Sequence, residues 1–269
     1  MGLIPASSVP KLSPSFSVQR RPDPAALMAA VVDVLEAFLH TSVQQQQFRP
    51  LGLATGRTME PLYAALCARL KVWPALHLQW LRDHWCSFNL DEYVGLPSGD
   101  PCCFAAYMQT HLAVPLDLPF ERIGIPDGLA CDPGLEARRY SAALSQAGGI
   151  GLQLLGLGNN GHVGFNEPPS GFDSPCRVVT LQKATRIQNA DAFGGDFEAV
   201  PKQAITLGLQ EILSAEVIHL IVTGSAKAEI LRTALLEPCT GLVPASWLQR
   251  HPRVHLWVDD AAHSRLSAL

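Results

Sequence analysis

Apolar and polar positions fall into blocks along this chain, and block length separates buried strands from helices. Short apolar runs bounded by Gly, Pro, Asn or Asp predict strands at 50–54, 86–90, 123–125, 152–157, 217–222, 244–248 and 254–258. Apolar residues recurring at helical intervals predict helices at 24–39, 59–70, 100–112, 135–146, 203–213 and 226–236, the first opened by Asp23 as N-cap. Their alternation predicts one doubly wound, mostly parallel α/β domain over 23–269. Residues 1–22 read as a Pro/Ser-rich arm. The polar stretch at about 165–191, with Arg177, Lys183 and Arg186, reads as an irregular lid.

Composition narrows the partners. The chain of 269 residues carries a net charge of −4, with Lys/Arg no denser than Arg20-Arg21 or Arg138-Arg139, so no nucleic acid is expected to bind. No apolar run reaches the ~20 residues of a membrane span, and the N-terminus lacks a charged-then-apolar secretory pattern. The 7 Cys, an odd number without C-x-x-C, predict free thiols in a reducing cytoplasm and no structural zinc.

Candidate chemistry concentrates in LQLLGLGNNGHVGFNEPP, 152–169. A buried strand breaks at Gly158-Asn159-Asn160-Gly161, and His162, Asn166 and Glu167 follow with no period that would hide them. Ligands of open parallel sheets bind at such carboxyl ends. Gly156-x-Gly158-x-x-Gly161 matches the dinucleotide fingerprint by letter, but Pro168 and Pro169 deny it the helix that fingerprint needs. Thr55-Gly56-Arg57-Thr58, between a strand and a helix, has the make-up of an anion site, or else is a plain connection capped by Thr58. Asp91-Glu92-Tyr93 ends another strand, where a carboxylate pair is either a solvated turn or a site.

Taken together, LGLATGRTMEPLYAAL, FNLDEYVGLP, GLGNNGHVGFNEP, AFGGDFEAVPKQAITLGL, EVIHLIVTGSAKAEIL and VPASWLQRH resemble the glucosamine-6-phosphate deaminase family. Its wider group includes galactosamine-6-phosphate deaminase/isomerases and 6-phosphogluconolactonases. The resemblance implies a modified Rossmann-like, three-layer α/β/α fold. It implies deamination and aldose–ketose isomerisation of glucosamine 6-phosphate to fructose 6-phosphate and ammonia, with no metal or organic cofactor. By match to the motifs, His162 opens the sugar ring, Glu167 orients and charge-balances it, and Asn160 adds a hydrogen bond. Asp91 is the base at C2, supported by Glu92 and Tyr93. Thr55, Gly56, Arg57, Thr58 and Lys202 are expected at the phosphate, whereas Lys227 is expected on a helix surface.

Two departures from the family pattern alter the expectations. Arg57 stands where members usually carry Ser, and Asp191 where they often carry Arg. Arg57 is therefore expected to grip the phosphate with Lys202, while Asp191 pairs with a cation or faces solvent. Arg177 matches one residue of the family's activator site but Val179 replaces the other, so no amino-sugar activation and a monomer or small homo-oligomer are expected. The alternatives are the galacto epimer as substrate, a lactonase-like hydrolase, and a sugar-phosphate binder without catalysis.

Overall fold

The computed structural model describes residues 16–266. Seven strands form the main sheet: β1 (Phe16–Arg21), β2 (Leu51–Leu53), β3 (Ser87–Asn89), β5 (Ile123–Gly124), β6 (Leu152–Gly156), β9 (Val217–Val222) and β10 (Val254–Asp259). Their order is β1-β10-β9-β6-β2-β3-β5, and every pairing is parallel. The central strands β6 and β9 are buried along nearly their whole length, which is why they read as unbroken apolar runs. A second sheet, β4 (Asp91–Tyr93), β8 (Gln203–Thr206) and β7 (Arg177–Thr180), is antiparallel in the order β4-β8-β7.

The longer flanking helices are α1 (Pro24–Gln45), α2 (Glu60–Leu70), α3 (Ala75–His84), α6 (Pro133–Gln146) and α9 (Ala228–Leu236). The shorter ones are α4 (Phe104–Met108), α5 (Val114–Leu116), α7 (Lys183–Asn189), α8 (Leu209–Leu213) and α10 (Asp260–His263). Asp23 caps α1 as expected, its Oδ1 accepting from the Ala26 amide at 2.8 Å. By length and composition α1 could cross a membrane. Here its Leu27, Val31, Val32, Leu35 and Leu39 face are fully buried in the core.

Several expectations need correction. Phe16–Arg21, assigned to the arm, is the edge strand β1, because the open flank of β10 offers it a parallel partner from Val254 to Asp259. The rest of the arm, 1–15, lies outside the described residues. The helix expected at 203–213 is strand β8, then α8. Ala204 and Ile205 lie fully buried between β4 and β7, an environment local periodicity does not reveal. The strand expected at 244–248 is a 3-10 helix, Pro244–Arg250. The helix expected from residue 100 begins at Phe104, and α3 had no counterpart among the expected elements. The 165–191 segment is not irregular: it contains β7 and α7. Phe165 and Leu181 there share a small second core with Tyr93, Val200 and Ala204.

Candidate active site

Four strand ends converge on one cavity. β2 and β6 are neighbours, but the main-sheet strands that follow them, β3 and β9, lie on opposite sides, so a crevice opens at their carboxyl ends. Residues 54–58, 90–91, 156–159 and 221–223, with His162 and Lys227, supply much of the lining of a cavity of about 450 Å³. Asp91 and His162 both line it.

Asp91 stands where the chain leaves the parallel sheet for the antiparallel one. The backbone of Leu90 makes the join: its N–H donates to Leu53 O at 3.0 Å, and its carbonyl accepts from the Leu207 amide at 2.7 Å. Asp91 is thereby locked opposite Thr206. Gly164 passes close by; a Cβ there would stand 3.3 Å from both Asp91 Oδ2 and Thr206 Oγ1. Burial, and secondly the Glu92 carboxylate, push the Asp91 pKa up to about 8, against a hydrogen bond from the Phe165 amide. Glu92 points elsewhere, accepting from the amides of Tyr93, Phe104 and Ala105 and so fixing the start of α4.

His162 lies flat over Gly158, whose hypothetical Cβ would fall 2.2 Å from its Nε2 and Cε1; only glycine fits under the ring. Nδ1 is 2.6 Å from Asn160 Oδ1, an acceptor, so Nδ1 carries the proton and Nε2 keeps its lone pair. Burial, and then the Lys227 charge, lower the His162 pKa to about 4, so the ring is neutral at pH 7.

Glu167 has no bond to the ring and is absent from the cavity lining, which corrects the expected His162–Glu167 pair. Its carboxylate accepts from the Gln182 amide at 3.1 and 3.2 Å and from Thr185. Gln182 Oε1 in turn accepts from Asn160 Nδ2 at 3.3 Å. Glu167 thus reaches His162 only through Gln182 and Asn160. No sequence pattern marked Gln182, because the turn before α7 brings it there from another part of the chain.

At the anion end, Thr55, Gly56, Arg57 and Thr58 all line the cavity, with Gly56 at φ 100°. No side chain caps α2, so Thr58 is not its cap. Tyr107 supports the turn, its hydroxyl donating to Gly56 O at 3.0 Å. Arg57 already has a partner: Nη1 is 2.6 Å from Asp191 Oδ2, so the two unusual residues pair with each other. Lys202 is exposed and outside the lining. It precedes β8, whose far end, Thr206, is the residue beside Asp91, so four residues of strand, roughly 13 Å, separate it from the site.

Lys227, expected on the surface, lines the cavity instead. Gly224, at φ 86°, donates its N–H to both Asp259 carboxylate oxygens at 3.1 and 2.9 Å; past this turn Ser225 and Ala226 are exposed, and Lys227 is the residue of the stretch that lines the cavity. Burial lowers the Lys227 pKa to about 8. Its place just past the end of strand 217–222 was a usable signal, since that is where an open sheet binds ligands.

Comparison with known proteins agrees with this architecture. The family model described as glucosamine-6-phosphate isomerases/6-phosphogluconolactonase matches residues 22–257. A glucosamine-6-phosphate deaminase of Shouchella clausii is 43% identical over 228 residues, 85% of this chain and 90% of the relative. One of Mycolicibacterium smegmatis is 37% identical over 245 residues, 91% and 90% of the two chains. The structure of a monomeric glucosamine-6-phosphate deaminase superposes with a TM-score of 0.82 at 35% identity, covering 93% of this chain and 99% of that one. The 6-phosphogluconolactonase of Trypanosoma cruzi gives 0.74 at 18% identity, with 93% and 97% covered, and shares the fold. The chain therefore belongs to the glucosamine-6-phosphate isomerase/6-phosphogluconolactonase family.

Proposed function

We propose that this protein converts glucosamine 6-phosphate and water into fructose 6-phosphate and ammonia. The observation that carries the reading is that Asp91 and His162, brought by two separate strand ends, line one cavity with the 55–58 turn and Lys227. His162 Nε2 takes the proton of the anomeric hydroxyl and returns one to the ring oxygen, opening the sugar. Asp91 as carboxylate removes the C2 proton and delivers it to C1. In the same step one proton of the ammonium group passes to the C1 carbonyl oxygen, so C2 becomes an iminium carbon, which water attacks with release of ammonia. The substrate's ammonium group, once beside Asp91, favours the ionised carboxylate that burial disfavours.

In this reading Asn160 holds the ring tautomer, and Glu167 acts through Gln182 as a positioning residue. The phosphate rests on Thr55–Thr58 and Lys227, and Lys202 has no part. Arg177 is engaged internally, its Nη1 donating to Asn166 Oδ1 at 2.8 Å and its Nη2 to Ser170 Oγ at 3.0 Å, which supports a protein without an amino-sugar activator. A monomer or small homo-oligomer working in the cytoplasm fits the same picture; sedimentation decides the subunit number.

The test is ammonia release from glucosamine 6-phosphate, measured beside the galacto epimer and 6-phosphogluconolactone. Turnover of the gluco amino sugar supports the proposal. Preference for the epimer, for lactone hydrolysis, or binding without turnover each replaces it with one of the alternatives.

A further inference from the structure

The cavity rim beside the 55–58 turn is closed by one segment, 188–192, through three contacts to three other parts of the chain. Asn189 Nδ2 donates to the Tyr93 hydroxyl at 3.1 Å, Cys102 Sγ donates to Ala192 O at 3.1 Å, and Asp191 pairs with Arg57. All six residues line the cavity. The Arg57–Asp191 pair differs from the other two contacts. Its side chains are 76% and 70% exposed, and a single Nη1–Oδ2 bond leaves the rest of the guanidinium fork unused. An exposed pair of this kind contributes about 0–1 kcal/mol. A phosphate dianion accepts two parallel, charge-assisted bonds from the same fork and is the stronger partner. Asp191 and an incoming phosphate therefore compete for one cation.

We propose that Asp191 is a specificity-determining residue: it occupies Arg57 in the free protein and is exchanged for the substrate's phosphate. An unphosphorylated amino sugar brings nothing that displaces it, so the pair filters ligands by charge at the rim. The weakening of phosphate binding by Asp191 is the cost of that filter. This rests on reading the 55–58 turn as the phosphate end.

Inorganic phosphate titrated calorimetrically into the full chain tests the exchange. Asp191→Asn is expected to tighten phosphate binding about twofold to fivefold, the value of one exposed charge pair. In an Arg57→Ser background the same change is expected to give less than about 1.5-fold, because the competition has lost its object. KM for glucosamine 6-phosphate should fall with the phosphate Kd. Unchanged or weaker phosphate binding in Asp191→Asn, or equal tightening in both backgrounds, overturns the proposal. Both residues are exposed, so folding of the variants is not at stake. Absence of ammonia release by the wild type would sink the deaminase reading separately, and the phosphate titrations would still decide this one.

Discussion

A carboxyl group walled in by two sheets keeps its proton to higher pH than one in water, and a buried ammonium loses its proton sooner. Asp91 and Lys227, each shifted to about 8 by burial, thus set opposite limbs of one profile. The proposed reaction uses Asp91 ionised and Lys227 charged, so kcat/KM is expected to rise and then fall around a maximum near pH 8. Lys227→Met should remove the falling limb and raise KM about 10- to 100-fold, the worth of a charged hydrogen bond; Lys202→Met should leave KM within about twofold. The Asp91 shift also bears on stability. Its folded pKa lies above the ordinary 3.8, so from pH 3.8 to about 8 the unfolded chain sheds a proton that the folded chain keeps, and stability falls as pH rises. Asp91→Asn should therefore melt higher at pH 8, by about 2–4 °C, while ammonia release drops about 1000-fold or more. Retained turnover in that variant contradicts the base assignment. Of the residues marked in the sequence, Asp91 and His162 line the cavity, but the expected lysine was exchanged for another and Glu167 moved to the end of a relay. Motif position says which residues are unusual, whereas the bonding partners of His162 depend on how Asn160 and Gln182 meet.

Among the elements, the turn after β6 depends on close approaches that tolerate no extra atom. Gly158→Ala puts a methyl where the His162 ring lies, and kcat should fall at least about 100-fold with the overall fold intact by circular dichroism. The loop after that turn hangs on Asn166, whose side-chain Nδ2 donates to Val163 O and Leu207 O while its Oδ1 accepts from Arg177. Arg177→Met leaves that buried oxygen unpartnered, at a cost of about 1–3 kcal/mol; a melting temperature unchanged from wild type would show the clamp to be dispensable. Arg177 belongs to β7, which, like β1, β4 and β8, sequence reasoning missed. β7 and β8 are short, and they become strands because they pair with each other and with β4 across long stretches of chain. Local apolar spacing carries no record of such a pairing, and in the 203–213 segment it even suggested the wrong element.

For the molecule as a whole, the parallel order of seven strands leaves β1 and β5 as edges. Deleting residues 1–21 removes β1 and bares β10 along Val254–Asp259, so that shortened chain should melt several degrees lower and aggregate on heating, as an unpaired strand edge does. Light scattering on a thermal ramp checks it; a profile matching the full chain means that β10 tolerates an open edge. The sequence by itself determined the α/β class, the central strands, the family, and the strand ends where chemistry gathers. It could do so because buried strands must be apolar, turns need Gly and Pro, and ligands collect at carboxyl ends. Only the tertiary structure decided that Asn160 rather than Glu167 holds His162, that Lys227 rather than Lys202 faces the cavity, and that Arg57 is bound to Asp191. Those outcomes depend on distances between residues far apart in the chain, which are fixed when the two sheets pack and have no local signature.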